Sequence, residues 1–511
     1  MELYLITIVI LLFGSILEWL KPIDKQWHLF QRRRWRLPPG PRGLPIIGNM
    51  SQLFRARDSG QLAPYLLSLR SYGDMTTLHM GSQLWVVLNS QKAIGDIQVK
   101  RSKATGERPD MPIASGLVSK GKRAVLRKST PAWNEGRRLM HHLLSGTALR
   151  KYAELEEQES CQMLLHYLYQ PETWYSHHFK FSTAIMHRIV MGERLNKTQA
   201  QLDEYQRITN EFLFSLFRSP LDFFPKLANT VFIPRAFQFW LRFWEEMGDS
   251  HTKVFEAWWK PVQKAVADGT AHASFVRDVL LGPATGYKGT DEDAMYLATS
   301  VMAAGGDNTR MTLNVFIMAA ICHPEIVLRA RSELDSICSS STMRLPVVAD
   351  MESMPYLAAL VKETLRWRPT VPLVPPHELT EEQLEYAGYI FPKGTNFLIN
   401  TVAVSRECKD PEHFMPERWM DESRNELNIL HGFWGFGAGR RICVGYKIAQ
   451  QILFLSISQL IFCFDFVPNG PYDSRKLNPW SVTEPFPVKV TLRSNLHGEL
   501  IRRTASSYGM E

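Results

Sequence analysis

The stretch Phe436-Gly437-Ala438-Gly439-Arg440-Arg441-Ile442-Cys443-Val444-Gly445 sets a single cysteine in a glycine-rich loop immediately before an apolar helical run. Glycine lets a backbone approach a flat partner closely and take conformations closed to other residues, so Gly437, Gly439 and Gly445 suit a loop pressed against a ring system. Amides at the start of the following helix can donate hydrogen bonds to the sulfur and favour a metal-binding thiolate. A lone cysteine is more commonly a buried structural residue that caps a helix. The residues around this one decide between the two readings.

Phe436, Gly439, Arg441, Cys443 and Gly445 occupy all five fixed positions of F-x-x-G-x-R-x-C-x-G. This is the haem signature of the cytochrome P-450 family, which the chain therefore resembles. With residue usages of a few per cent each, a chance match in such a chain is on the order of one in ten thousand. The resemblance implies a mostly α fold with small β-sheets, in which haem b lies between a long central helix and the cysteine loop. It also implies that Cys443 is the axial iron ligand, whose thiolate pushes electron density toward the metal and favours O–O cleavage.

Further motifs follow in the family's order. Glu363-Thr364-Leu365-Arg366 matches E-x-x-R, and i,i+3 spacing puts both charged side chains on one helix face, where a bidentate pair can form. Phe414-Met415-Pro416-Glu417-Arg418-Trp419 resembles the P-E-R-F-like segment. That resemblance implies that Arg418 joins Glu363 and Arg366 in a buried ionic cluster that holds the fold and does no chemistry. Trp133 and Arg137, one helical turn apart, match W-x-x-x-R, whose arginine binds a haem propionate in the family. His377 stands where family members often offer a base to the other propionate, and Arg441 is the third propionate candidate.

Residues Asp291 to His323 predict one helix: Asp291 can cap its start, apolar residues fill its middle and Pro324 marks its end. At 1.5 Å per residue it would be roughly 50 Å long, enough to cross a domain. Its centre reads Ala304-Gly305-Gly306-Asp307-Asn308-Thr309, where the family usually has A-G-x-D/E-T-T/S. Glycines beside an acid suit a helix locally widened to admit oxygen and water. Asn308 stands where the family's threonine hydroxyl helps deliver protons, a task for a group that both donates and accepts. An asparagine amide hydrogen-bonds but relays protons poorly. Asp307, Asn308 and Thr309 are therefore the candidate catalytic residues. Thr309 can substitute only if the helix is rotated or unwound by one residue, and Arg310 can pair with Asp307. Close helix packing is the alternative role for Gly305 and Gly306, but it leaves the neighbouring acid unexplained.

The chain has 511 residues, 45% of them hydrophobic. No repeat, low-complexity stretch or long linker divides it after residue 45. The expected organisation is an anchor at 1–20, a basic, proline-rich hinge at 21–45, one catalytic domain at 46–495 and a tail at 496–511. Strand-like runs at 75–88 and 389–402 interrupt an otherwise helical pattern. Six cysteines without a C-x-x-C pair point to a reducing compartment. His141-His142 and His177-His178 lack helical ligand spacing and read as ordinary surface or core histidines.

From Leu3 to Leu17 the chain is apolar or small apart from Thr7 and Ser15, and Trp19 and Leu20 extend the run past Glu18. It is short for a span of about 20 residues but suits the thin endoplasmic reticulum bilayer. A signal peptide is the rival reading. Against it, no basic residue precedes the apolar run and no small-x-small site follows it. Lys21, Lys25 and the arginines from 32 to 36 lie on the C-terminal side. These charges predict a single-pass anchor with the catalytic domain in the cytosol. Leu37-Pro38-Pro39-Gly40-Pro41 reads as a semi-rigid spacer and resembles the family's hinge. Residues 212–244, rich in Phe and Trp, are a second candidate membrane contact; in the family this region roofs the pocket.

A formal charge of +8 asks for a partner, yet no nucleic-acid recognition motif is present. The arginines at 32–36 suit anionic lipid headgroups. Arg138, Arg440 and Lys447 can form a basic face that steers an acidic redox partner. Gly435-x-Gly437 continues to Arg440 where a dinucleotide fingerprint requires a third glycine, so the chain is not expected to bind NADPH itself. The resemblance then implies electrons from NADPH through a diflavin reductase, with O2 as co-substrate.

The implied activity is a haem-thiolate monooxygenase that inserts one atom of O2 into a C–H bond of a lipophilic small molecule. Ala303, Ala304, Val371, Leu373 and Val374 are the family-derived candidates for an apolar pocket lining. The P-E-R-W segment and the cysteine loop resemble those of filamentous-fungal members that tailor secondary metabolites. Asn308 motivates an alternative, a haem-thiolate isomerase, dehydratase or peroxide-using enzyme that does not activate O2. A second alternative is a non-catalytic haem-binding membrane scaffold.

Overall fold

Helical periodicity with few interior glycines or prolines yields a chain dominated by helices, and the long helix is its axis. The computed structural model of the protein describes residues 35–510 other than 217, 229–237, 282–286, 340–341, 421–427, 479 and 482. The described helices of thirteen or more residues are α1 (Pro131–Leu143), α2 (Thr147–Tyr169), α3 (Trp174–Met191), α4 (Gln199–Ser215), α5 (Phe239–Ala267), α6 (Asp291–Cys322), α7 (Pro324–Cys338), α8 (Pro355–Trp367), α9 (Tyr446–Cys463) and α10 (Asn495–Ser507). Three small sheets accompany them among the described residues. One has the order β1 (Met75–Met80), β2 (Gln83–Leu88), β6 (Asn396–Ile399), β3 (His377–Glu378). The others pair β4 (Gln383–Tyr386) with β5 (Tyr389–Pro392), and β7 (Phe464–Pro468) with β8 (Val488–Leu492).

The strand-like runs divide further than expected. Residues 75–88 form an antiparallel hairpin that turns at Gly81, where φ is +59°. Residues 389–402 form β5 and β6, and then enter a helical turn, Thr401–Val404. In the central pair, β2 runs parallel to β6 with Val87 opposite Leu398. Val86, Leu88, Phe397 and Ile399 face one apolar cluster while Trp85, Val87 and Leu398 face another. This is the period-two pattern of strands buried on both faces.

Helix α6 begins one residue away from the expected cap: the Thr290 hydroxyl, not Asp291, accepts the Asp293 N–H at 3.1 Å. It ends at Cys322, and the chain turns through 104° into α7. The helix stays α-helical through residues 304–309, so the expected widening is not present. Most of its residues from 294 to 321 are buried, as befits a helix apolar on nearly every face. Helix α3 lies along it at close range. A Cβ at Gly305 would stand 2.6 Å from the Met186 sulfur, and one at Gly306 would stand 3.1 Å from the Thr183 hydroxyl. Both glycines therefore do serve packing, against α3, while the acid beside them is turned to another partner.

One described helix, α9, is long and apolar enough to cross a membrane, but it is packed in the core beside α6 and α7. The anchor expected at 1–20 and the hinge up to residue 34 lie outside the described residues. Where the hinge is described it adheres to the sheets: the Pro39 carbonyl accepts from the Thr77 N–H at 3.1 Å and the Arg36 carbonyl from the Ile390 N–H at 2.7 Å. Gly40 has no room for a side chain, since a Cβ would meet the Thr77 carbonyl oxygen at 1.9 Å. At the other end, α10 buries Leu500 and Ile501 against α2.

Candidate active site

The cysteine loop is closed by a 2.8 Å hydrogen bond from the Cys443 N–H to the Phe436 carbonyl. Inside it, Gly437 and Gly439 hold φ of +76° and +59°. A Cβ at Gly439 would lie 2.1 Å from the Gln98 carbonyl oxygen, so only glycine fits there. Gly445 differs from expectation. Its φ is an ordinary −89°, and its contribution is an N–H that donates to the Cys443 sulfur. Burial pushes the Cys443 thiol up, whereas the Gly445 N–H and the Arg137 guanidinium pull it down; burial wins. A stable thiolate here needs a further positive partner, which a metal ion supplies.

Cys443 is enclosed by protein yet carries uncovered surface, so it borders an internal space. Helix α6 shows the same property at Ala304 and Asn308, one turn apart. Both are exposed although Ala303, Gly306, Asp307 and Thr309 around them are buried. Among the pocket candidates, Ala304 therefore opens to the interior. Val374 borders the cysteine loop, its Cγ1 3.9 Å from where a Cβ of Gly437 would stand. Val371 is half-buried against the sheet cluster. Leu373 belongs to the cluster of Trp85 and Leu398 and Ala303 to the helical core; both are buried, as is Val374.

A group of bases surrounds the loop. The Arg441 guanidinium stacks 3.9 Å from the Trp133 ring centroid and donates to the Gly106 and Arg127 carbonyls, to the Ser129 hydroxyl and to Glu107 at 3.1 Å. Arg137 stands 5.7 Å from the same ring and donates to the Ile442 carbonyl, while the Trp133 N–H donates to Ala124. His377, on β3, is buried with its imidazole neutral: desolvation, then Arg108 and Arg441, hold its pKa well below the usual value. Arg108 is the residue that sequence reasoning missed. It is 4% exposed and donates to the Pro375 and Pro376 carbonyls; burial and the Arg441 charge lower its pKa to about 9. No motif spacing marks Arg108, because strand β3 and a loop far along the chain bring it to Arg441. Arg108, Arg137 and Arg441 gather here, with Glu107 paired to Arg441, and their positive charge suits an anionic ligand.

Asp307 turns away from Ala304 and pairs with Arg310 at 2.8 Å; its second oxygen has no partner among the described residues. Asn308 faces the open space, with one amide N–H donated to the Ala304 carbonyl at 2.9 Å. Its amide oxygen remains as the acceptor. Thr309 is buried, and the regular helix keeps it off the face that Asn308 occupies. The ionic cluster is complete. Arg366 is bidentate to Glu363 at 2.8 Å, Arg418 reaches it at 3.0 Å, and the Trp419 and Met415 N–H groups add two more bonds.

An enclosed thiol under a positive rim, with an open helix face carrying Ala304 and Asn308, fits a flat, doubly anionic haem b, whose iron Cys443 would hold. The comparisons agree with that geometry. The family model described as cytochrome P450 matches residues 38–492. A cytochrome P450 monooxygenase of Armillaria gallica is 31% identical, covering 85% of this chain and 84% of its own. The cytochrome P450 monooxygenase fogE of Aspergillus ruber is 32% identical, covering 88% and 82%. A zebra fish cytochrome P450 solved with progesterone shares the fold at a TM-score of 0.68 and 23% identity, covering 84% of this chain and 99% of its own.

Proposed function

The chain belongs to the cytochrome P450 family, and on that premise we propose that it oxidises a lipophilic small molecule in a fungal secondary-metabolite pathway. Electrons come from NADPH through a diflavin reductase. The observation that carries this reading is the enclosed Cys443, open toward an interior space and supported by the Gly445 N–H. Bound haem supplies the activation of dioxygen through its thiolate-ligated iron. Cys443 would hold the iron, and Arg108, Arg137, Arg441 and neutral His377 would offer charge and hydrogen bonds to the propionates. Asn308 orients water through its amide oxygen but cannot hand a proton on. Asp307 is the acid next to it on α6, and its second oxygen, free of Arg310, can accept a hydrogen bond from water that carries protons toward the open face.

Several features support the remaining parts of the proposal. The similar proteins named above are fungal monooxygenases, and the exposed Ala304 suits an apolar reacting end. Arg138, Arg440 and Lys447 are exposed and suit an acidic reductase. Phe239, Trp240 and Phe243 are exposed on the first turns of α5, and with the basic hinge they suit docking on the endoplasmic reticulum membrane. The absent hydroxyl at 308 favours a second reading, an enzyme that uses peroxide or rearranges its substrate. The deciding measurement is oxygen uptake by purified protein with reductase, NADPH and a panel of lipophiles. Substrate-dependent uptake with oxygenated product supports the monooxygenase; conversion of a hydroperoxide without uptake supports the second reading.

A further inference from the structure

At the corner where α6 turns into α7, His323, Glu325 and His413 each offer one ligand atom, and the three atoms lie within 4.8 Å of one another. We infer that they form a binding site for a divalent transition-metal ion of the zinc, nickel or copper type. The Nδ1 of His323 stands 3.4 Å from the Glu325 Oε1. That equals the edge of a tetrahedron, about 3.4 Å, whose centre lies about 2.1 Å from each ligand, the usual zinc bond length. Two imidazoles with one carboxylate select these metals over magnesium or calcium, which prefer all-oxygen sites.

The surroundings pre-position the ligands. The His323 ring is fixed against Trp367 and Phe414, with centroids at 5.6 and 5.9 Å, and meets the His413 ring edge to face at 5.2 Å. Arg366 and Arg418 both donate to the His413 carbonyl, at 3.3 and 3.2 Å, so its backbone is held by the ionic cluster. The Glu325 side chain is 61% exposed and the His413 side chain is open to solvent. Both can close the remaining distance by rotating, and water can fill the fourth position. Arg368, whose charge acts on His323, pairs with Glu412 at 3.1 Å, a carboxylate it shares with Arg406 at 3.0 Å. A bound ion would cross-link the end of α6 to the segment that carries the Glu363 cluster.

The test uses haem-loaded protein without a polyhistidine tag, stripped with a chelator. It is titrated with zinc by calorimetry and loaded with copper(II) for electron paramagnetic resonance. One zinc per chain is expected, with two nitrogen donors in the copper spectrum. Glu325→Gln and His413→Asn should each weaken zinc binding at least about tenfold, the scale that even an outer-sphere partner is worth. His413→Asn should also remove one nitrogen from the copper spectrum. Both positions are solvent-exposed, and an unchanged haem spectrum verifies folding. If wild type binds no stoichiometric zinc, or if either variant binds as wild type does, the site does not exist.

Discussion

Asp307 and Arg310 form a buried ion pair one turn apart on α6, 2.8 Å between Oδ1 and Nη2, with 4% and 2% of their side chains exposed. Arg310 also donates to the Ser481 carbonyl, so the pair ties the centre of the long helix to the loop before β8. The acid is thus held on one oxygen, and among the described residues its other oxygen has no partner.

Replacing Asp307 with Asn removes the carboxylate proposed to serve proton delivery and strands the Arg310 charge. Turnover should fall about 100-fold, within the range of a lost general acid, and stability should drop by about 3–5 kcal/mol. Asp307→Asn combined with Arg310→Gln should regain much of the stability without the turnover. Urea unfolding alongside product assays separates the two effects, and recovery of both together would refute the catalytic role.

Asn308→Thr restores a hydroxyl on the exposed face of α6. Product formed per NADPH consumed should hold or rise. A collapse with haem intact would show that the Asn308 amide oxygen performs a task a hydroxyl cannot.

Cys443→Ser removes the thiolate. The reduced carbon monoxide complex should lose the red-shifted band characteristic of thiolate ligation, while circular dichroism stays native. An unchanged band would rule out Cys443 as ligand.

Glu363 is fully buried and accepts from Arg366, Arg418, Trp419 and the Met415 amide. Glu363→Gln leaves two guanidiniums without their counter-ion, a loss of about 3–5 kcal/mol against a typical total of about 5–15. Little haem-loaded protein should accumulate, and the urea midpoint of what remains should fall.

Acid should destabilise the protein early. Burial lowers His178 and His251 to about 3 and His187 to about 4, so all three stay neutral in the fold. The His178 Nε2 faces the Tyr167 hydroxyl at 2.6 Å, and the His251 ring lies between Arg123 and Glu211. Unfolded histidines protonate near pH 6.5, about where the unfolded chain begins to hold more protons than the fold. Stability is full above that value and is lost as pH falls below it. Asp222, raised to about 7 by burial, acts in the opposite sense, as does Glu156, but the histidines outnumber them. The melting temperature should be level from about pH 7 to 8 and decline below about 6.5, less steeply in His251→Gln.

Local pattern was enough for the elements whose chemistry lies in contiguous residues. The loop around Cys443, the helix from Asp291, and the Glu363-Arg366 pair were all legible, because i,i+3 spacing, glycine placement and unbroken apolar periodicity act over short range. Pattern also set the expectation of widening at 304–309. There, two glycines proved to admit Met186 and Thr183 of α3, a demand made by a neighbouring helix and invisible along α6 itself.

What the amino-acid sequence by itself determined is the family, the cysteine set in its glycine-rich loop and the absence of a hydroxyl at 308. Only the tertiary structure decided which residues share a space. It placed Asn308 rather than Thr309 on the open face, turned Leu373 into the sheet core, and brought Arg108 beside Arg441 and His323 beside His413. The reason is physical: a helix or loop fixes neighbours within a turn. Charges and rings from distant segments meet only when burial of the apolar faces between them sets how those segments pack.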